Sequence, residues 1–90
     1  MDKELSAKVQ NIVSLMDPVI GDRAVPRNIR RAVFESKEKI SEKSDDISVQ
    51  VSTAIYLLDE VANDINMPMH ARSEIWGIIS ELEKLKEEIK

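Results

Sequence analysis

The sequence predicts an all-α domain of four helices, arranged as two tandem αα-hairpins. Two observations carry this. Apolar residues recur at the 3.6-residue helical period in four separate segments, and no segment alternates with period two long enough for a strand. Gly21, Pro26 and Pro68 fall between those segments, where helices stop and start. Two layouts satisfy the pattern, a HEAT-like two-repeat unit and a four-helix bundle. With 90 residues and 10.2 kDa, the chain is read as a single helical domain spanning 1–90.

Leu5, Val9, Ile12, Val13, Met16, Val19 and Ile20 form the one-sided stripe of the first helix. That helix is expected to end at Gly21, whose freedom at positive φ suits a helix stop. A polar turn of Asp22, Arg23, Ala24 and Val25 leads to Pro26, which suits the first helical position. The second helix is expected to bury Ile29, Ala32, Val33, Phe34 and Ile40, and fades through residues 41–44. Ser44 or Asp45 is the expected N-cap of the third helix, with Asp45 and Asp46 at the positive dipole end. Its stripe is Ile47, Val51, Ala54, Ile55, Leu58, Val61, Ala62 and Ile65, a period sustained enough to outweigh the β preference of the branched residues. Residues 63–67 make the next turn. Pro68 then starts a fourth helix running through Ala71, Ile75, Ile78, Leu82, Leu85 and Ile89.

The chain repeats itself. Shifted by 42 positions, Leu15, Asp17, Val19, Asp22, Pro26 and Arg30 meet Leu57, Asp59, Val61, Asp64, Pro68 and Arg72. That is six identities in eighteen positions, where about one is expected from composition. Val33 meets Ile75, Phe34 meets Trp76 and Ile40 meets Leu82 without a gap. The copies span about 5–43 and about 47–90, and helices two and four, being equivalent, should run roughly parallel. Each copy resembles a HEAT repeat in its order of helix, Asp-containing turn, Pro and second helix. The stretches 25–32 (VPRNIRRA) and 66–76 (NMPMHARSEIW) are similar to an archaeal group of small proteins, uncharacterised protein family 0147. That resemblance implies a compact helical protein and no assigned activity.

Composition narrows function by exclusion. There is no Cys, so no disulfide, thiolate nucleophile or thiolate metal site. The charged first residues and the lack of a long apolar run lead us to expect no signal peptide, no membrane anchor and a cytoplasmic protein. The net charge of −4 gives no global attraction to nucleic acid. His70 is the single histidine and reads as a surface or turn residue, because a zinc site would need partners the sequence does not offer. Asp17, Asp22, Asp59 and Asp64 recur with Arg30 and Arg72; a catalytic centre does not need each group twice, so these are expected to cap turns and pair with local arginines. Phosphate loops and nucleophile triads are missing, and the expectation is a non-enzyme without cofactor or metal.

Two features point to partners. Arg23, Arg27, Arg30 and Arg31 form the one basic cluster, read as a candidate anion or partner contact or as ion pairs with Asp22, Asp17 and Glu35. The favoured function is a protein–protein interaction or assembly module. The alternative is an RNA- or nucleoprotein-associated accessory protein using those arginines, disfavoured because no aromatic lies among them to stack bases. Phe34 and Trp76 read as core residues, with an interface anchor as the sharper alternative for Trp76. The second feature is the fourth helix, whose apolar residues are spaced 4, 3, 4, 3, 4, the rhythm of helix pairing. Trp76, Ile79, Leu82, Leu85 and Ile89 are therefore the expected interface of a symmetric homodimer, unless the first helix covers that seam within one chain.

Overall fold

The computed structural model describes residues 3–43 and 46–89, and those residues form four helices: α1 (Lys3–Ile20), α2 (Arg27–Ser41), α3 (Ile47–Val61) and α4 (Met69–Glu88). No strand occurs among them. α1 buries Val9, Ile12, Val13, Met16 and Val19, the stripe its period dictates. α2 buries Ile29, Ala32, Val33 and Ile40, together with Ser36. α3 begins at Asp46, whose side chain accepts from the Val49 N–H at 3.2 Å. The cap therefore falls past the expected Ser44 or Asp45, which lie outside the described residues. α4 starts directly after Pro68 and buries Ala71, Ile75, Ile78, Ile79, Leu82 and Leu85.

Three local expectations are corrected. No glycine adopts positive φ; Gly21 donates an ordinary helical bond to Asp17 O at 3.1 Å, and α1 stops because Asp22 turns the chain. Phe34 is not core: it is 45% exposed, as is its equivalent Trp76. Ile65 lies beyond the end of α3 and is 90% exposed, because the chain has left the helix before that turn of the stripe returns.

Each helix packs on its chain neighbours and α1 closes on α4, while the diagonal pairs α1/α3 and α2/α4 make no close backbone contact among the described residues. A HEAT stack would layer α1 on α3 and α2 on α4; this ring is a four-helix bundle, 37 × 19 × 18 Å in extent. Met16, Ile29, Ile40, Leu58, Ile75, Ile78 and Leu82 fill its centre. The 42-residue shift converts the α1/α4 contact into the α3/α2 contact, so the repeats are related by a pseudo-two-fold axis. The two contacts differ in depth. At α2/α3 the facing residues are small, Ser36 and Ala54, and Ser36 Oγ lies 2.9 Å from Ala32 O and 3.1 Å from Ala54 O. Their equivalents at α4/α1 are the larger Ile78 and Ile12, and α1 and α4 come close along less of their length than α2 and α3. The buried Gln50 side chain donates to Lys39 O and Glu42 O, both at 2.7 Å, and so ties the end of α2 to α3.

Candidate functional site

The two turns that join α1 to α2 and α3 to α4 fold alike. Asp22 Oδ1 accepts from Ala24 N at 2.9 Å and Asp64 Oδ1 accepts from Asn66 N at 2.8 Å, the Asx turn that aspartate favours. Val25 N and Met67 N then donate to Asp22 O and Asp64 O, at 3.1 and 3.2 Å, which drops Val25 and Met67 into the core. The partly buried arginines lock the same loops: Arg30 Nε donates to Val25 O and Arg72 Nη2 donates to Asp64 O, both at 3.0 Å. Pro26 and Pro68 hold near-identical extended conformations and release α2 and α4 from the same end. Because Asn28 and His70 bond the two turns to each other, α2 and α4 start at the same end of the bundle, as their equivalence in the repeat predicts.

Two bonds stitch the turns to each other. Asn28 Nδ2 donates to Asp64 Oδ2 at 3.2 Å, and His70 Nε2 lies 2.7 Å from Asp22 Oδ2. Asn28 and His70 are themselves 42 residues apart, so the stitches exchange under the pseudo-two-fold. An ionised carboxylate only accepts, so the imidazole nitrogen is the donor. The His70 bond, then the Ala24 N–H, hold the Asp22 carboxyl below the ordinary aspartate value. The Asn66 N–H and then the Asn28 amide do the same for Asp64.

Of the candidate arginines, Arg30 is thus a turn lock. Arg23, Arg27 and Arg31 are exposed, and none makes an ion pair among the described residues. The ion-pair reading is corrected: Asp22 is taken by His70, and Asp17 pairs with Lys37 at 2.9 Å. Asp64 meets Arg72 through its backbone carbonyl, and not through the carboxylate. Beside the arginines stand two apolar side chains that sequence reasoning missed, Ile65 at 90% and Met69 at 78% exposure. The repeat held the signal. Ile65 and Met69 occupy the positions of Arg23 and Arg27, and a position that carries arginine in one copy faces water. The five arginines of the chain all lie in residues 22–31 and 64–72; Asp17, Asp59 and Glu60 stand at the same end, in the last turns of α1 and α3.

The α4 seam is occupied from within. Ile79, Leu82 and Leu85 are buried in the core, and Ile89 packs partly against it, so α1 and α3 already cover most of that row. Trp76 alone of the five candidates stands half-exposed. Among the described residues no three His, Asp or Glu side chains converge as a metal-binding group, and no helix is long and apolar enough to cross a membrane.

Known proteins share this architecture. The chain is 44% identical over 78 residues to a UPF0147 protein of Methanocaldococcus jannaschii, covering 87% of this chain and 84% of that one. It is 45% identical over 84 residues to a UPF0147 protein of Methanothermobacter thermautotrophicus, covering 92% and 82%. The crystal structure of a protein from uncharacterized family UPF0147 from Thermoplasma acidophilum superposes with a TM-score of 0.82 at 35% identity, over 89% of this chain and 94% of that one. The family model matches residues 1–85, and the chain belongs to uncharacterised protein family UPF0147.

Proposed function

We propose that this protein is a non-catalytic, cytoplasmic protein-interaction module that docks a partner on the turn end of its bundle. One observation carries the reading: Ile65 and Met69 stand out of the fold beside three arginines that have no carboxylate partner among the described residues. Full burial of an isoleucine or methionine is worth roughly 1.5–3 kcal/mol, a gain that here only an external surface can realise. The turns that present these residues are rigidly bonded, so little ordering is left to oppose binding.

A photo-crosslinking residue in place of Ile65, compared with one in place of the exposed Ser6, tests this in native cells. Discrete protein adducts from position 65 alone are expected. Equal labelling from both positions would refute docking at this end. A second reading, an RNA-associated accessory protein, is favoured by the exposed arginines alone. It requires salt-sensitive RNA retention that disappears when Arg23, Arg27 and Arg31 become Ser.

A further inference from the structure

We infer that the turn end is a composite face, in which the first repeat supplies cations and the second an apolar seat, and that its occupant is an acidic protein segment carrying an aliphatic anchor. This rests on the reading of the protein as an interaction module and names the class of partner. The repeat separates structural from presented residues. Asp22 and Asp64, Pro26 and Pro68, and Arg30 and Arg72 are identical pairs, and all of them build the turns. Arg23, Arg27 and Arg31 correspond instead to Ile65, Met69 and Ser73, and all six are solvent-exposed. The two copies have one scaffold and two chemistries.

The stitches make these halves one surface. Asn28, next to Arg27, is bonded to Asp64, next to Ile65; His70, next to Met69, is bonded to Asp22, next to Arg23. Both aspartate side chains have their oxygens engaged within the fold, leaving the three guanidinium groups to face outward. Arg23, Arg27 and Arg31 are exposed and make no ion pair among the described residues, so the electrostatic complement of their half of the face is a carboxylate. Guanidinium matches carboxylate in bidentate geometry, and Ile65 and Met69 match an aliphatic side chain. A phosphate backbone would satisfy the arginines and leave the apolar half uncovered.

Fluorescence anisotropy with the full chain tests this. The probe is a labelled helical peptide with leucines along one face and glutamates elsewhere. It is compared with its Glu/Ser and Lys/Leu counterparts and with oligo-uridine RNA. The Glu/Leu peptide should bind, and its affinity should fall roughly five-fold with Arg27→Ser plus Arg31→Ser, the size expected for exposed ion pairs. A similar loss is expected with Ile65→Ser plus Met69→Ser. These residues are exposed, and unchanged thermal melts would show both variants folded. Equal binding of the Glu/Ser peptide, indifference to either pair of substitutions, or RNA binding that ignores Ile65 would overturn the composite face. So would salt-sensitive self-association lost with the arginines, which would assign the face to a second copy. If position 65 still crosslinks proteins while the Glu/Leu peptide does not bind, the partner class falls and the interaction module stands; if neither occurs, both fall.

Discussion

Asp22 and Asp64 each hold two jobs, closing a turn with one oxygen and fastening the opposite repeat with the other. Their carboxyls are lowered by those bonds, so the native state takes up protons less readily than the unfolded chain. Stability from this source is fully present above about pH 4 and is lost as the pH falls through the lowered native values. Urea midpoints measured from neutral to acid pH should therefore decline on the acid side. The decline should be shallower in the Asp22→Asn, Asp64→Asn double variant, whose amides do not titrate. Gly77 offers the opposite case. It lies inside α4, and a Cβ placed there meets nothing within 4 Å. Gly77→Ala should raise stability by about 0.5–1 kcal/mol, because alanine gives up less backbone entropy in a helix. A thermal melt of the variant checks it.

At the level of the helices, α4 shows what a heptad rhythm does and does not say. The spacing of Ala71, Ile75, Ile78, Leu82 and Leu85 marks a helix that packs along its whole length, and the structure satisfies that row with α1 and α3. A repeating stripe specifies that a partner helix exists; it carries no label for whether the partner belongs to the same chain. Leu85→Glu should accordingly unfold the domain, since it places a carboxylate at a site 2% exposed, at a cost of several kcal/mol. Loss of helical circular dichroism would show this, whereas a folded variant of unchanged stability would mean that Leu85 faces outward. Element order and most of the core were legible for the same reason, because period alone decides which face is buried. Phe34 and Ile65 escaped for physical reasons. Phe34 lies one residue past buried Val33, at the rim of the stripe, and Ile65 keeps the phase of a helix that has already ended. The functional end was half legible. Arginine clustering showed in the sequence, but Ile65 and Met69 become a site only when the stitches bring the second turn beside the first.

For the molecule as a whole, the sequence repeat of 42 has become a rotation about an axis, and not a step along a stack. Two hairpins suffice because each covers the apolar face of the other. A stack of the same two units would leave its outer faces bare. The start of α1 and the end of α4 also lie in a particular place. Lys8 of α1 is paired with Glu88 of α4, and Glu4, Ile47 and Ile89 border one depression. The start of α1, the start of α3 and the end of α4 therefore share the end opposite the turns. In a rotationally related pair, which hairpin the chain visits first is a matter of where the backbone is cut. A circular permutant that opens at Asp46 and joins Glu88 to Lys3 through a linker of about four Gly and Ser residues should refold to the same bundle. Its melting curve should stay cooperative and its stitches, read from the Asn28 and His70 side-chain resonances, should persist. A permutant that fails to fold would show that the order in which the chain visits its helices is itself part of what specifies the bundle.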